Sequence, residues 1–236
     1  MSQIVLDMKV DSKALVILSG GQDSVTCLGF ALNNFKHVEC IAFNYGQNHS
    51  VELEQAEKIC AKLDVPLLIL KTDILSAFAD SALVTQGNVS KPHHRNDKLP
   101  ASFVPNRNAM FIVFAHAYAQ KIGAETLITG VCQTDYSGYP DCRDDFISSI
   151  QNTLNLGYDT SIDIMTPLMF LNKAETFALA EECGILDTVV DESHTCYNGD
   201  RSKSHPWGKG CGTCPACELR AKGWDEYQEL KGEENA

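Results

Sequence analysis

The sequence predicts an α/β protein with a doubly wound parallel sheet, followed by a small C-terminal zinc-binding region. Short apolar segments alternate with amphipathic helical segments from Ala14 to Gly184, a pattern typical of parallel sheets with right-handed crossovers. A glycine-rich loop follows the first apolar segment, and four cysteines lie close together near the end of the 236-residue chain, from Cys196 to Cys217. We expect the α/β domain over residues 1–189, and the zinc-binding segment with a terminal helix over residues 190–236.

Each element follows from the period of its apolar residues. Short apolar segments predict five strands, over residues 14–18, 37–46, 65–70, 126–131 and 162–168. Apolar residues at helical spacing predict the helices between them, over residues 24–34, 51–63, 109–123, 144–157 and 173–185. Gly184 is expected to end the last of these helices. A polar stretch over residues 80–105 predicts a long loop, and the charged segment beyond Cys217 predicts one further helix.

Composition and charge narrow the functional class. The net charge of -12 argues against sequence-independent binding of nucleic acid, which needs a basic face. The N-terminus shows no basic region followed by an apolar run, so we predict no signal peptide. The apolar runs are too short to span a membrane, and we expect a cytoplasmic protein. In a reducing compartment the ten cysteines favour metal binding or core packing over disulfides.

The loop after the first strand, LSGGQDSV, has the composition of an oxyanion site. Gly20 and Gly21 let backbone N–H groups approach a phosphate, and Ser19 and Ser24 add hydroxyl donors. The next helix directs its positive end at the same place. Asp23 is explained if it binds Mg²⁺, which carboxylates and substrate phosphates commonly share. The alternative is a simple turn in which Asp23 and Ser24 only cap the helix.

A second polar cluster follows the fourth strand on the same sheet edge. Tyr136 and Tyr139 can stack on a flat heterocycle, while Asp135 and Asp141 can accept hydrogen bonds from a guanine-like edge. Arg143 can pair with a carboxylate through two hydrogen bonds. The alternative is an ordinary turn with solvated charges.

Four cysteines near the C-terminus have the spacing of a metal site, C-x14-C-x2-C-x2-C, formed by Cys196, Cys211, Cys214 and Cys217. Four thiolates close a tetrahedral zinc site and leave no position for water, which indicates a structural role. An iron–sulfur cluster is the competing interpretation, although Ala221 stands where its usual fourth cysteine would be. A histidine, His194 or His205, is an alternative ligand in place of one cysteine.

These motifs carry a resemblance over almost the whole chain. The SGGQDS loop resembles the pyrophosphate loop of the ATP-pyrophosphatase (PP-loop) superfamily, whose fold is adenine nucleotide alpha hydrolase-like. More specifically, the chain is similar to the QueC family of 7-cyano-7-deazaguanine synthases in queuosine biosynthesis. The motifs of that resemblance are FNYGQNH, FVPNRN, GVCQTDYSGYPDCR, TPLMFLNKAET, TCYNG and CGTCPAC, in this order.

The resemblance implies an ATP-dependent ligase that converts 7-carboxy-7-deazaguanine and ammonia to the nitrile through adenylated acid and amide intermediates. It implies ATP, Mg²⁺ and Zn²⁺ as cofactors, with Asp23, Lys173 and Arg107 as catalytic residues. The implied ATP contacts are Leu18, Ser19, Gly20, Gly21, Gln22, Asp23, Ser24, Phe43, Tyr45 and Gly130. The implied substrate contacts are Gln133, Asp135, Tyr136, Ser137, Gly138, Tyr139, Pro140, Asp141 and Arg143.

We expect a homodimer that takes ammonia from solution or from a partner protein, because the chain shows no glutaminase domain. The alternative is that Arg107 and Lys173 are surface charges with no catalytic role. The family usually carries glycine where this chain has Asn106, a residue that tolerates a left-handed backbone. The segment between Cys196 and Cys211 looks longer than usual, and it is expected to form an extended loop, at a subunit contact.

The residues alone leave two rival functions open. A tRNA-thiolating member of the superfamily would bind tRNA in a salt-sensitive manner, which the acidic charge disfavours. A non-catalytic nucleotide-binding module would keep its function without Asp23 or Lys173.

Overall fold

A computed structural model describes residues 9–46, 50–72, 104–134 and 139–234, and the backbone of residues 92–93 and 96–100. The strands are β1 Val10–Ile17, β2 Phe35–Asn44, β3 Leu67–Lys71, β4 Pro92–His93, β5 Asn96–Pro100, β6 Thr126–Ile128, β7 Asp163–Met165, β8 Ser204–His205 and β9 Gly208–Lys209. The helices are α1 Gln22–Asn34, α2 Val51–Leu63, α3 Arg107–Ile122, α4 Asp144–Tyr158, α5 Lys173–Glu182, α6 Leu186–Asp191 and α7 Pro215–Glu234.

The central sheet is parallel and has the strand order β3-β2-β1-β6-β7. The chain builds outward from β1 through β2 to β3, and then returns to the other side of β1 to add β6 and β7. The loops that leave β1 and β6 therefore diverge, and ligands bind at such a switch point in open α/β sheets. The predicted fold class is confirmed, and each of the five predicted strands corresponds to one strand of this sheet.

Two apolar layers cover the sheet, and β1 shows how the sequence creates them. Ala14, Val16 and Leu18 are fully buried on one face, together with apolar residues of α1, α2, α5, α6 and α7. Leu15 is fully buried on the opposite face, among residues of α3 and α4. Because successive side chains of a strand point to opposite faces, an uninterrupted apolar run supplies both layers of the core.

The C-terminal part differs in detail from the predicted elements. The predicted helix over 173–185 corresponds to α5, and Gly184 ends it as expected, with a φ of +68° and an N–H that donates to the Glu181 carbonyl. The short helix α6 that follows was not predicted. Helix α7 begins at Pro215 instead of after Cys217, so Cys217 lies in its first turn. Buried residues beyond 190, such as Trp207 and Tyr227, belong to the same apolar layer as α1 and α5. The predicted boundary at 189 stays a prediction.

The stretch predicted as a long loop contains the short antiparallel pair β4 and β5, and most of its other residues lie outside the described part. Within the described part, none of the helices combines the length and the apolar character needed to cross a membrane.

Candidate active site

The loop that leaves β1 lies at the switch point, and close backbone contacts fix its position. Gly20 has a φ of +90°, and a Cβ there would lie 2.1 Å from the carbonyl oxygen of Glu52. A Cβ on Gly130, after β6, would lie 3.1 Å from the carbonyl carbon of Asp23 and the nitrogen of Ser24. Glycine is therefore required at Gly20 for both conformation and space. The same loop contacts α2 on one side and the end of β6 on the other.

Hydrogen bonds within the loop set its shape. The Ser19 N–H donates to the Ser24 Oγ at 3.1 Å, and the Gly21 N–H donates to the Ser19 Oγ at 3.2 Å. The Ser24 hydroxyl donates to the Gly21 carbonyl at 3.0 Å. Gly21 is the N-cap of α1, and no side-chain hydrogen bond caps the helix there. The interpretation of this loop as a simple cap made by Asp23 and Ser24 is therefore not supported, and the positive end of α1 faces the cleft without a capping carboxylate.

Asp23 and Lys173 meet although they are far apart in the sequence. The Lys173 Nζ lies 2.8 Å from both carboxylate oxygens of Asp23. Lys173 is the first residue of α5, whose N-terminus is closed by a capping box between Asn172 and Glu175. The side chain of Lys173 is 10% exposed and that of Asp23 is 29% exposed. The capping box fixes where α5 begins and thereby holds the lysine beside the glycine loop.

The cleft beside this pair encloses about 360 Å³, within the usual range for small-molecule sites. One wall is the loop with its lysine. Aromatic rings form much of the opposite wall, where Phe43 stacks on Phe111 at a centroid distance of 4.3 Å and Tyr45 lies 5.4 Å from Phe111. Of the residues expected to contact ATP, those that line the cleft are Leu18, Ser19, Gly21, Gln22, Asp23, Ser24, Phe43, Tyr45 and Gly130.

Arg107 lies on the aromatic wall as the first residue of α3. Asn106 before it adopts the left-handed conformation with a φ of +55°, as predicted for an asparagine in place of glycine. Burial disfavours the charged guanidinium, but Tyr45, Tyr139 and Asp141 outweigh burial and raise the pKa of Arg107. The Asp141 carboxylate also accepts a 2.9 Å hydrogen bond from the N–H of Asn108. The Arg107 guanidinium therefore stays positively charged, and it lies where a negatively charged substrate group can reach it.

Sequence reasoning missed Glu52, which lines the cleft from the first turn of α2. Burial raises the pKa of Glu52 to about 7, and the nearby Arg107 guanidinium only partly opposes this effect. Tyr197 was also missed. Burial is the main cause that raises the pKa of Tyr197; Tyr139 and Glu52 raise it further, and Arg107 lowers it. No local signal separates Glu52 from the exposed Glu54 and Glu57 of the same helix, because only the fold brings it to the cleft.

The remaining predicted substrate residues occupy different places. Tyr139 lines the cleft, while the side-chain oxygen of Gln133 accepts a 3.1 Å hydrogen bond from the Asp144 N–H. Pro140 starts a short 3₁₀ turn, and Arg143 is an exposed residue at the start of α4. Asp135, Tyr136, Ser137 and Gly138 lie outside the described residues. Substrate contact by any of these residues remains a prediction.

The four C-terminal cysteines converge, as the spacing predicts. Their sulfur atoms all lie within 4.8 Å of one another, and all four residues are buried. His194 and His205 are not part of this group, since the Nε2 of each lies near a backbone carbonyl, at 3.1 and 3.2 Å. Although burial acts in the opposite direction, hydrogen bonds from Thr213 lower the pKa of Cys211 to about 6. The cluster can hold a metal ion.

Arg220 is a third residue that sequence reasoning missed, after Glu52 and Tyr197. It is 1% exposed and lies on α7, three residues after Cys217. Its guanidinium donates to the carbonyls of Trp207 and Val189, both at 2.8 Å, and to the hydroxyls of Ser193 and Thr195. Trp207 lies in the long segment between Cys196 and Cys211, so this segment packs against the chain's own core; the expected subunit contact remains a prediction.

Comparisons with known proteins agree on one family. The family model described as "Queuosine biosynthesis protein QueC" matches residues 13–228. The chain is 58% identical over 219 residues to the 7-cyano-7-deazaguanine synthase of Wolinella succinogenes, covering 92% of this chain and 94% of that protein. It is 48% identical over 221 residues to the protein of the same name from Lysinibacillus sphaericus, covering 94% and 98%.

Among solved structures, the chain resembles a 4-thiouridine synthetase in complex with RNA and bound ATP, with a TM-score of 0.51 and 19% identity. The match covers 94% of this chain and 53% of that longer chain. At this identity the similarity shows the fold alone.

Proposed function

The chain belongs to the QueC family of queuosine biosynthesis proteins, and from this premise we propose that its cleft makes 7-cyano-7-deazaguanine from the 7-carboxylate, ammonia and ATP. The relatives that it matches over nearly their whole length carry the name 7-cyano-7-deazaguanine synthase. The chain is accordingly an ATP-dependent ligase, and the sequence prediction of family and activity is confirmed.

One observation carries the assignment of the site: the Lys173 Nζ lies 2.8 Å from both oxygens of Asp23, beside a glycine loop at the switch point of the sheet. A lysine side chain and the N-terminus of a helix can both stabilise the negative charge of a departing pyrophosphate. Carboxylates commonly bind Mg²⁺ together with phosphates, so Asp23 fits that ion, and Mg²⁺ would neutralise charge on the phosphates. When nucleotide binds, Lys173 can exchange its carboxylate partner for a phosphate oxygen.

The chemistry needs two activations because carboxylate and amide oxygens are poor leaving groups. First, the substrate carboxylate attacks the α-phosphorus of ATP, which releases pyrophosphate and gives an acyl-adenylate. Ammonia then displaces AMP and gives an amide. The amide oxygen attacks a second ATP, and loss of AMP leaves the nitrile. The glycine loop would hold the phosphates, and Arg107 with Tyr139 would hold the deazaguanine in line for attack.

The metal of the cysteine cluster is proposed to be zinc. A tetrahedral ion with metal–sulfur bonds of about 2.3 Å places its sulfurs roughly 3.8 Å apart, and the sulfurs of Cys211 and Cys217 lie 3.9 Å apart. Those of Cys214 and Cys196 lie 4.0 Å apart. An iron–sulfur cluster spreads its cysteines over several irons and needs wider spacing. Metal analysis of the purified protein, together with its absorption spectrum near 400 nm, distinguishes zinc from iron.

The test of the proposed function is a product assay. The purified protein is incubated with ATP, Mg²⁺, ammonium and the carboxylated deazaguanine, and the products are identified by mass. We expect nitrile, AMP and pyrophosphate, with nucleotide consumption that depends on the deazaguanine. ADP and orthophosphate in place of AMP would contradict the proposal, and efficient use of glutamine by this chain alone would contradict ammonia as the nitrogen source. Sedimentation of the same sample tests the predicted homodimer.

A further inference from the structure

We propose that Glu52 is the general base that removes protons from the substrate nitrogen in the amide-forming and nitrile-forming steps. This inference rests on the proposed function and assigns a residue to the part of the reaction that the phosphate loop does not explain. The glycine loop presents mainly N–H and hydroxyl donors, and its Asp23 carboxylate is held by Lys173, yet the conversion of ammonia to a nitrile nitrogen requires the loss of every N–H proton.

The position of Glu52 meets the requirement of geometry. Its carbonyl oxygen lies against Gly20, where a Cβ would be only 2.1 Å away, so the start of α2 contacts the phosphate loop directly. Its carboxyl interacts with the Arg107 guanidinium on the aromatic wall. Glu52 therefore lies at the junction between the loop that would hold the phosphates and the pocket that would hold the deazaguanine. The reacting carbon must lie at this junction, because its oxygen becomes bonded to the α-phosphorus.

The surroundings of Glu52 suit a base better than those of the other described carboxylate in the cleft. Among the described residues that line the cleft, the carboxylates are Asp23 and Glu52, and Asp23 is held by Lys173. The groups that act on Glu52 or face it from neighbouring elements are Arg107 from α3, Tyr45 from the end of β2, and Tyr197 from the loop after α6. Burial raises the pKa of the Glu52 carboxyl to about 7, near the value at which a general base works best at neutral pH.

The proton balance of the nitrile-forming step is complete. The amide oxygen attacks the α-phosphorus of ATP and releases pyrophosphate, which leaves two protons on the nitrogen of a cationic adenylated intermediate. The first proton is lost to water and gives a neutral imidate. Glu52 carboxylate accepts the second; the electrons of that N–H bond form the additional carbon–nitrogen bond, and the carbon–oxygen bond breaks with its electron pair leaving on AMP. The protonated Glu52 returns its proton to water when the products leave the cleft. In the amide-forming step it takes a proton from the attacking nitrogen at the same position.

The test compares Glu52→Gln, which keeps size and polarity but cannot accept a proton, with Glu57→Gln on the exposed side of α2 as a matched control. Two reactions are measured. The first is single-turnover nitrile formation from the amide of the deazaguanine with ATP and Mg²⁺. The second is exchange of labelled pyrophosphate into ATP with the carboxylate and without ammonia, which requires adenylation but no nitrogen chemistry.

We expect E52Q to slow nitrile formation by about 10²–10³-fold, a usual range for loss of a general base, while pyrophosphate exchange stays within about threefold of wild type. Glu52→Asp should recover part of the lost rate. In wild type the nitrile-forming rate should rise with pH through about 7, following the ionisation of Glu52, and E52Q should lack this rise. Retained exchange also shows that the variant is folded.

Nitrile formation by E52Q at the wild-type rate would overturn the role of Glu52 and leave the proposed function intact. An equal loss in both reactions would also overturn it, because it would assign Glu52 to substrate binding or to the stability of the cleft. A wild-type protein that forms neither AMP nor pyrophosphate with either deazaguanine would overturn the proposed function together with this inference.

Discussion

The two walls of the cleft are built in different ways. The wall formed by the glycine loop, called the loop wall below, is mostly backbone from one short segment. In this segment Gly20 adopts a φ of +90°, and the hydroxyls of Ser19 and Ser24 form a hydrogen bond. Its charges form one pair, Asp23 and Lys173, at 2.8 Å. The aromatic wall opposite, called the pocket wall below, is made of side chains from separate elements. Several of its titratable groups have shifted pKa values.

The difference follows from what each wall would have to do. Every ATP molecule presents the same phosphates, so a rigid cradle of backbone donors with one fixed cation is sufficient. A site that binds a deazaguanine and transfers protons needs side chains whose charge depends on their surroundings. We therefore expect damage to the loop wall to affect both activation steps equally, and damage to the pocket wall to affect the steps separately.

The largest effect is expected from Lys173→Met on the loop wall. Loss of the cation that is proposed to face the departing pyrophosphate should lower AMP formation by about 10²–10³-fold, by the same factor with the carboxylate and with the amide as acceptor. Lys222→Met, on an exposed lysine of α7, is the control. The rate of AMP formation with each acceptor measures the effect, and a loss confined to one acceptor would contradict the separation of the two walls.

The local character of the loop wall also explains why the sequence predicted it. One contiguous motif, SGGQDS, indicates strand, turn and helix together, and the structure places its residues as expected. The pocket wall could be predicted only in part. Arg107 and Tyr139 lie in distinctive motifs, and Tyr197 lies in the TCYNG motif without being assigned a role, whereas the position of Glu52 depends on how α2 packs beside the sheet. Arg220 was missed for the same reason, since a lone arginine on a charged helix gives no sign of complete burial.

A smaller but still substantial effect is expected when the loop backbone is strained. Gly20→Ala forces a Cβ into a residue with a φ of +90° and 2.1 Å from the Glu52 carbonyl oxygen, so the free energy of unfolding should fall by about 2–3 kcal/mol. Gly21→Ala is the matched control, because its φ is -79° and its nearest contact would be the Ser19 Oγ at 3.3 Å. Urea denaturation measures both variants, and equal losses would show that space at Gly20 does not limit the fold.

On the pocket wall, Arg107→Lys should weaken binding of the carboxylated deazaguanine. The lysine keeps the charge but loses the planar set of donors that pairs with a carboxylate, so KM for the deazaguanine should rise about tenfold, which corresponds to about 1.4 kcal/mol. The KM for ATP serves as the internal control and should change less than twofold if the walls act separately. A parallel rise in both KM values would mean that Arg107 contacts the nucleotide.

The smallest effect concerns the cost of keeping Glu52 in the cleft. Burial raises its pKa from 4.5 to about 7 in the folded protein, so between these values the folded state binds more protons than the unfolded state. The free energy of unfolding therefore falls as the pH rises through this window, since ionising the partly desolvated carboxyl opposes folding. E52Q removes this penalty: its Tm relative to wild type should be a few degrees higher at pH 8 than at pH 5. The other titrating groups are common to both proteins and cancel in this difference, and E57Q should show no such trend. Parallel Tm curves for E52Q and wild type would show that Glu52 is not desolvated, and the pocket wall would then lack the property that most distinguishes it from the loop wall.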